Sequence, residues 1–348
     1  MKQEETRLSH NPRAWGISRR EFLKLAAATG LLAACRPALS PADRRAEIMK
    51  IYPDVPSKVV RARHAGVWNG DALVPQAIRQ MLDASITQLT GLSDARQAWQ
   101  ALFDPTERVA IKVNAFRNSI IWTHVPLVMA VTECLQEAGV PAEQIVIFDY
   151  YTTELEEAGF PVNKDGPGVR CYGTDVSYTE GFQVVETPIK LSDIVVNCDA
   201  LINVPILKSH MIAGMSFAMK NHYGTLENPA ALHYGKYIER GMAELNALPP
   251  IKDHTRLIIG DVLTANIRYV NSWPYWREAV TGDAILMSFD PVAHDTVGLQ
   301  TFVQLLAADG GDTASATARA TPWLAGGAEV GLGTDDMSHI ELVEVAVG

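Results

Sequence analysis

The chain has 348 residues, of which 47% are hydrophobic and 20% charged, the composition of a globular protein with enough apolar side chains for a large core. Its formal net charge is −10, and the first 34 residues carry six basic but only three acidic side chains, so the remainder is more acidic still. This charge argues against a nucleic-acid partner and against electrostatic binding to anionic lipid, and any anion site must therefore be local and enclosed.

An export signal is the first predicted element. Arg19 and Arg20 precede Phe22-Leu23-Lys24, and an uncharged, mostly apolar run follows as far as Ala34. A charged leader before so short an apolar run is typical of a signal peptide and is too short to span a membrane comfortably. The stretch resembles the twin-arginine translocation signal. The resemblance implies the twin-arginine translocase as a partner, export in the folded state, and a location in the periplasm or cell envelope.

The end of this signal leaves two alternatives open. The sequence from Leu32 to Cys35 is similar to a lipobox, and lipid on Cys35 would tether the mature chain to a membrane, which would be its only link to one. The alternative is cleavage near residues 38–40 and release. Residues 36–57 contain four prolines and mixed charge, which predicts a linker. We therefore divide the chain into a signal at 1–35, a linker at 36–57 and one domain at 58–348.

The remaining cysteines exclude some metal centres. Cys134, Cys171 and Cys198 form no CxxC pair. A cluster held by four local cysteines and a zinc ribbon are excluded, so this chain has no iron-sulfur motif, and an odd number of thiols makes a disulfide framework unexpected.

The body of the chain begins with a predicted strand-helix-strand unit. The apolar strand 108–113 ends at Asn114, a helix capped by Thr123 follows, and the strand 145–148 is closed by Asp149. Alternation places Lys112 on the opposite face of the first strand from its apolar neighbours. A lysine there must pair with a carboxylate, Asp149 or Asp261, or extend to water at the strand end.

The most informative stretch is 199–224. An apolar strand ends at Pro205, a basic turn then carries Lys208 and His210, and methionines spaced by four residues predict a helix from residue 211 to Gly224. In an unbroken helix Lys220 would lie about 15 Å from His210, too far for both to contact one ligand group. Either the helix starts later, near Gly214, and folds the turn back, or Lys220 and Asn221 serve a second patch.

Later segments repeat the pattern of a strand followed by a polar residue. Strand 256–260 precedes Asp261, and strand 284–289 precedes Asp290, which with Pro291 is typical of a helix start. We expect an irregular insertion near 150–190, a mobile connection at 309–322 and a last strand near the end. The fold class is therefore α/β, a mostly parallel sheet flanked by helices with Rossmann-like layering.

Polar residues that follow parallel strands should gather at the carboxyl edge of the sheet, where ligands bind in this class. The candidate catalytic residues are Lys208, His210, Lys112 and Asp261. The candidates for binding a cofactor or a small anionic ligand are Asn114, Asn203, Lys220, Asn221 and Asp149. The cofactor itself is undetermined. A metal is one option, with His124, His210, His294 and Asp295 as candidate ligands, although none shows a local spacing such as HExxH.

Several of these motifs together resemble one family, the bacterial and archaeal domain of unknown function 362. They are IKVN at 111–114, Thr123-His124, DALINVPILKSH at 199–210, AMKNHYG at 218–224, FDPVAHD at 289–295 and EVGLG at 329–333. The resemblance runs from about residue 58 to 346. Some members of that family resemble fusions to a ferredoxin-type module, which this chain lacks, and the family implies no established reaction.

Two classes of function remain. The first is an exported enzyme, with redox chemistry as one option, whose cleft binds an anionic substrate or cofactor. The alternative is a membrane-tethered binding or assembly protein without turnover. Export in the folded state favours the enzyme. The sequence has no GxGxxG after a strand, no P-loop and no GxSxG, which argues against dinucleotide, nucleoside triphosphate and serine-hydrolase chemistry.

Overall fold

The computed structural model describes residues 39–116, 121–175, 177–233, 236–269 and 276–348. By its contacts the chain divides into two units, Met1–Asp43 and Arg44–Gly348. The predicted signal and Cys35 lie outside the described residues. Within the described part of the chain, no helix has the length and apolarity needed to cross a membrane.

The second unit is built around one large sheet. Its strands have the order β14-β1-β13-β12-β9-β4-β5-β6, with β10 paired to β12 and β11 to β10, while β2-β3 and β7-β8 form separate ribbons. Most pairings in the large sheet are parallel; β1-β13, β12-β13 and β10-β11 are antiparallel. The strands are β1 Ser57–His64, β2 Trp68–Asn69, β3 Ala72–Leu73, β4 Val109–Lys112, β5 Ile145–Phe148, β6 Arg170–Cys171, β7 Tyr178–Val184, β8 Thr187–Ser192, β9 Ala200–Asn203, β10 Ile206–His210, β11 Gly214–Ser216, β12 Thr255–Tyr269, β13 Trp276–Ser288 and β14 Ile340–Val347.

Helices cover both faces of this sheet, which confirms the predicted α/β fold. One core lies between the sheet and α2, α3 and α4, and the other between the sheet and α8, α10 and α11. The α-helices are α1 Pro41–Ile48, α2 Pro75–Thr90, α3 Ala95–Leu102, α4 Val125–Ala138, α5 Thr152–Glu157, α6 Asp193–Asn197, α7 Ala218–Asn221, α8 Lys236–Asn246, α9 Pro249–Lys252, α10 Pro291–Ala308 and α11 Thr313–Glu329. Short 3-10 turns occupy Ala142–Gln144, His222–Thr225, Pro229–Leu232 and Met337–His339.

The predicted strand-helix-strand unit is present as β4-α4-β5. The predicted apolar face of α4 is buried, and Gly139 ends the helix in the left-handed conformation. The predicted cap is wrong, because His124 occupies the N-cap position. Thr123 instead accepts a hydrogen bond from the Asn114 amide at 2.9 Å and donates to the Val204 carbonyl at 2.8 Å, which joins the ends of β4 and β9.

The predicted helix from residue 211 is wrong. Residues 206–216 form the hairpin β10-β11, and only Ala218–Asn221 are α-helical. The hairpin turns where His210 Nδ1 accepts the amides of Ile212 and Ala213, at 3.2 and 3.1 Å. Gly214 follows with φ 78°, and a Cβ there would lie 2.4 Å from the Ala316 carbonyl oxygen. This close approach of α11 requires glycine and fixes the turn.

The structure differs from four other expectations. Strand β12 does not end at Gly260 but continues to Tyr269, because it pairs with β13 along most of its length. Residues 313–329 form helix α11 rather than a mobile connection. The insertion near 150–190 contains α5 and the ribbon β7-β8, and helix α1 lies in the predicted linker. The last strand and the Asp290 cap of α10 are as predicted.

Candidate functional site

A cavity of about 210 Å³ lies at the carboxyl ends of β4 and β5 and beside the hairpin β10-β11. Its lining includes two lysines, two histidines, two carboxylates, two asparagines and several aromatic rings. The lining residues are Asn114, Phe116, Asp149, Tyr150, Tyr151, Glu154, Lys208, His210, Ser216, Lys220, Asn221, Tyr223, Gly224, Pro229 and His233. A larger depression of about 770 Å³ opens beside Trp68 and Thr264. We place the site in the smaller cavity because buried charges face it.

A buried ion pair lies beside this cavity, with Asp149 in the lining and Lys112 behind it. Lys112 is fully buried, and its Nζ lies 2.6 Å from Asp149 Oδ1 and 2.6 Å from the Val113 carbonyl oxygen. The other carboxylate oxygen of Asp149 accepts the Ala115 amide at 2.5 Å. Burial lowers the pKa of Lys112, and the Asp149 carboxylate opposes that shift. Of the partners that the sequence left open for Lys112, the structure therefore selects Asp149.

Asn221 connects this pair to the rest of the site. Its Oδ1 accepts from Lys112 Nζ at 3.3 Å and from Asn114 Nδ2 at 3.2 Å, and its Nδ2 donates to Asn203 Oδ1 at 2.8 Å. Asn203 also donates to the Ala218 carbonyl at 2.8 Å. Asn203 is not among the lining residues that the structure describes. Its hydrogen bond instead orients the side chain of Asn221.

The position of Gly224, three residues after Asn221, requires a glycine. A Cβ on Gly224 would lie 2.6 Å from Asp149 Oδ1 and 2.9 Å from Lys112 Nζ. Only a residue without a side chain lets the turn at His222–Thr225 pack directly over the ion pair.

Lys208 reaches the cavity from strand β10. Its Nζ donates to Asn114 Oδ1 at 2.6 Å and lies 5.7 Å from the centroid of the Phe116 ring. The pKa of Lys208 is lowered to about 8, mainly by burial. The negative charges of Asp149 and Glu154 oppose this shift, and the positive charge of Lys112 adds to it.

Lys220 reaches the same cavity from the short helix α7. Its Nζ lies 3.0 Å from His233 Nε2 and 3.7 Å from the centroid of the Tyr223 ring. Burial and the positive charge of Lys208 lower the pKa of Lys220 to about 7. Asp295 fixes this helix, because its carboxylate accepts the amides of Ala218 and Met219, each at 2.9 Å.

The two cavity histidines are held neutral. His210 accepts two backbone amides through Nδ1, so the neutral ring carries its hydrogen on Nε2. Burial, followed by the charge of Lys220, lowers the pKa of His210 well below its usual value. For His233, burial and Lys220 lower the pKa to about 4. The two rings lie 5.7 Å apart between centroids.

The hairpin removes the distance objection raised by the sequence. The turn after His210 reverses the chain, so His210 and Lys220 line one cavity instead of standing a helix length apart.

Asp261 lies on the opposite face of the sheet from Lys112. It alternates with Ile259 and Leu263, which belong to the core beneath α2–α4, whereas Lys112 faces the other side. Its Oδ2 accepts both the amide and Nδ1 of His124, each at 2.8 Å. Burial of His124 opposes protonation, but the charge and hydrogen bond of Asp261 outweigh it and raise the pKa of that ring. The expected catalytic role of Asp261 in the cavity therefore has no support from its position.

The four metal candidates lie in three separate places. His210 lines the cavity, and His124 pairs with Asp261 on the other face. His294 and Asp295 are fully buried; His294 Nδ1 lies 2.9 Å from Asp295 Oδ1, and its ring stacks on Phe217. Across the described ranges, no three histidine, cysteine, aspartate or glutamate side chains gather as a metal site.

The site also contains residues that the sequence did not indicate. His233 and Glu154 line the cavity, but neither stands after a strand or in a recognisable spacing. Tyr223 belongs to the AMKNHYG motif at 218–224, but the sequence did not indicate it as a site residue. The cavity thus combines two lysines of lowered pKa and two carboxylates with neutral imidazoles and amides. The lysines, the imidazole of His210 and the amides can hold an anion, and groups with pKa values near neutrality can transfer protons.

Comparison with known proteins identifies one family and several distant structures, two of which follow. A family model described as "Domain of unknown function (DUF362)" matches residues 109–300. No curated protein matches. The chain is similar to a crystal structure of a Thermotoga maritima protein, with 12% identity, a TM-score of 0.39, and coverage of 68% of this chain and 59% of that one. It is also similar to the lactate racemase apoprotein of Thermoanaerobacterium thermosaccharolyticum, with 11% identity, a TM-score of 0.35, and coverage of 64% and 54%. The chain spans less than two thirds of the length of both.

Proposed function

This chain belongs to the DUF362 family, and we propose that it is an exported enzyme that binds a small anionic substrate or cofactor in the cavity described above. The observation that carries the proposal is the pair Lys208 and Lys220, two buried lysines facing one cavity. The pKa of Lys220 is lowered by Lys208 as well as by burial, so the two ammonium groups repel one another. A bound anion would relieve that repulsion.

The size of the cavity limits the ligand. A volume of about 210 Å³ is below the roughly 300–1,000 Å³ typical of pockets for drug-sized molecules. Small carboxylates and inorganic phosphate fit a cavity of about 210 Å³. The neutral amide of Asn114 and the ring of His210 supply hydrogen-bond donors beside the two cations.

Catalysis rather than binding alone is supported by the pKa values of the lysines. General acids, general bases and nucleophiles work best with pKa values near the operating pH, and Lys208 and Lys220 have values of about 8 and 7. Simple anion binding needs a permanent cation, for which an ordinary lysine or arginine is better suited. Binding without turnover, by a membrane-tethered protein, is the alternative that the experiment below distinguishes.

Export is the second half of the proposal. The arginine pair Arg19-Arg20 and the apolar run after it support recognition by the twin-arginine translocase, and Cys35 supports a lipid anchor on the envelope side of the membrane. Changing both arginines to lysine is expected to retain the protein in the cytoplasm, as measured by cell fractionation. Cys35→Ala is expected to abolish labelling with a radioactive fatty acid and to release the protein. Unchanged fractionation of the arginine variant would contradict export by this route.

The binding test uses the full chain purified after export. Calorimetric titration with inorganic phosphate and a panel of small mono- and dicarboxylates should find at least one that binds. Lys208→Met and Lys220→Met should each weaken that binding by at least about tenfold, because a lost charge-assisted hydrogen bond is worth ~1.5–3 kcal/mol. Lys164→Met is the matched control, since Lys164 is exposed and lies outside the cavity lining.

Two results would overturn the binding proposal: an absence of binding across the whole panel, or equal affinities in the wild type and both cavity variants. Metal analysis and an absorption spectrum of the same preparation test for a bound cofactor. Turnover of a ligand from the panel identifies an enzyme. Binding without turnover across the panel would favour the tethered binding protein.

A further inference from the structure

Lys220 has contacts that suit a nucleophilic amine. Its ammonium group contacts a neutral imidazole, His233, and the face of a neutral ring, Tyr223. Over the described part of the chain, no carboxylate forms an ion pair with it. A buried lysine next to a second cation, without a carboxylate to stabilise its charge, loses its proton easily and becomes an amine with a free electron pair.

The hydrogen bonds of His233 define how the amine is held. His233 Nδ1 lies 2.7 Å from the Pro229 carbonyl oxygen, which can only accept, so Nδ1 carries the ring hydrogen. Nε2 is therefore an acceptor and receives a hydrogen from Lys220 Nζ at 3.0 Å. Because a neutral amine still has hydrogens to donate, this bond persists after Lys220 loses its proton. His233 is thus a positioning residue for the amine.

The surroundings of Lys208 favour its charged form more than those of Lys220 do, so the two lysines can act as cation and as neutral amine. The negative charges of Asp149 and Glu154 favour the protonated form of Lys208, and Asn114 Oδ1 accepts a hydrogen bond from it at 2.6 Å. Lys208 therefore remains the cation when Lys220 has become neutral. One lysine can hold a carboxylate while the other attacks a carbon bonded to it.

We propose that Lys220 forms an imine with the carbonyl carbon of a small oxo acid, whose carboxylate Lys208 binds. The proposal rests on the proposed function, because it uses the same cavity, and it names the substrate class. Burial and the charge of Lys208, which lower the pKa of Lys220 to about 7, agree with it, since about half of the amine is neutral at that pH.

The reaction needs no further reagent. The nitrogen electron pair of Lys220 forms a C–N bond as the carbonyl π bond breaks, and the oxygen takes up a proton. Loss of the hydroxyl group with a proton then gives C=N and one water molecule. In the net reaction both hydrogens of that water come from the amine. The step is a condensation and needs no oxidant or reductant. The imine withdraws electrons from the neighbouring carbon and makes the C–H bonds on that carbon acidic, which opens proton-transfer chemistry.

Reductive trapping tests the proposal directly. The full-length chain is incubated with pyruvate as the probe and with sodium cyanoborohydride, and the adduct is quantified by intact mass and located by peptide mapping. We expect one adduct per chain, on Lys220, saturating with pyruvate. Acetone, which has the carbonyl but no carboxylate, should label Lys220 at least about tenfold more slowly, since the lost charge-assisted contact is worth ~1.5–3 kcal/mol.

Matched variants assign the chemistry to one residue. Lys220→Met and Lys220→Arg should carry no saturable adduct, and the arginine variant keeps the positive charge in case the methionine variant does not fold. Lys164→Met should be labelled as the wild type is. Lys208→Met should shift the pH at which labelling rises to a higher value, because removing its charge raises the pKa of Lys220.

The outcomes separate this inference from the proposed function. Trapping of pyruvate only on exposed lysines, or equally in wild type and Lys220→Met, overturns the imine. If the wild type nevertheless binds a carboxylate such as propionate and Lys208→Met does not, anion binding in the cavity stands without the imine. If neither propionate nor any other anion of the panel binds and no adduct forms, both proposals fail.

Discussion

Replacing Lys220 with methionine should stabilise the folded protein at neutral pH. Burial and the charge of Lys208 lower the pKa of Lys220 from its ordinary value of 10.5 to about 7. In the unfolded chain the lysine keeps its ordinary pKa, so between pH 7 and pH 10.5 the unfolded state binds more protons. The free energy of unfolding of the wild type therefore rises with pH across this window.

The magnitude follows from the size of the pKa change. At ~1.36 kcal/mol per pK unit the full effect is about 5 kcal/mol, and most of it appears between pH 7 and pH 10. Lys220→Met lacks this dependence but loses the hydrogen bond to His233, at a cost of ~1–2 kcal/mol. The variant should be more stable than the wild type by about 2–3 kcal/mol at pH 7. Near pH 10 it should be slightly less stable.

Urea unfolding at constant ionic strength, followed by circular dichroism at pH 7 and pH 10, measures the difference. Lys164→Met is the control, because that lysine is exposed and should give a small difference that does not change with pH. Lys208→Met should reduce the pH dependence contributed by Lys220, since it removes one of the two causes of the lowered pKa. If Lys220→Met changes stability equally at both pH values, Lys220 titrates normally and the description of the cavity is wrong.

Three further substitutions test the structure around the cavity. Asp149→Asn should destabilise the fold by about 3–5 kcal/mol in urea unfolding, because Lys112 would be left buried beside a neutral group; the double variant with Lys112→Met should recover most of that loss. Asp261→Asn should lower the pKa of His124 in an NMR titration, since burial then acts without the carboxylate; an unchanged pKa would contradict the pairing. Gly224→Ala should weaken anion binding and lower the melting temperature, because its Cβ would displace Asp149 or Lys112; normal binding would show that the turn can move.

The sequence predicted the unit β4-α4-β5 closely because its signals are local. The helix has an apolar face of regular period, Gly139 and Pro141 mark its end, and each strand is a short apolar run followed by a polar residue. Lys112 was the exception inside a buried strand. Its alternation with Ile111 and Val113 predicted its face and left a carboxylate partner or extension to water open, and the structure has the carboxylate of Asp149. Such information lies within a few residues of the element it describes.

The hairpin β10-β11 could not be predicted in the same way. Met211, Met215 and Met219 have the spacing of a helix face, but Met211 is exposed while the other two are buried. The turn is fixed by distant groups: Trp323 Nε1 donates to the Ala213 carbonyl at 2.9 Å, and Arg319 donates to the Met211 carbonyl. Contacts from a helix a hundred residues later in the chain decided the structure, and nothing in the local pattern reports them.

The residues that line the candidate cavity agree with the sequence prediction at two strand ends and differ from it elsewhere. Asn114 and Asp149 come just after β4 and β5 at one edge of the sheet, whereas Lys208 reaches them from within β10, where the sequence predicted a turn. Asp261 stands inside a longer strand, since pairing with β13 carries β12 past the expected end, and alternation then directs it to the other face. His233 lies at the end of a 3-10 turn, where neither period nor spacing marks a residue.

The energetics of the cavity lead to one more measurable consequence. Buried lysines that repel each other cost stability, and methionine would remove that cost, so their presence is best explained by a ligand that offsets it. An anion that binds between Lys208 and Lys220 raises the pKa of both, and binding must then be accompanied by proton uptake. At pH 7 Lys220, with a pKa of about 7, should take up about half a proton and Lys208, with a pKa of about 8, far less. Titrating an anion that binds, in buffers of different ionisation enthalpy, measures this number directly. In Lys220→Met the uptake should fall to the small contribution of Lys208, and in Lys164→Met it should be unchanged. Binding without uptake in the wild type would mean that the anion does not approach Lys220.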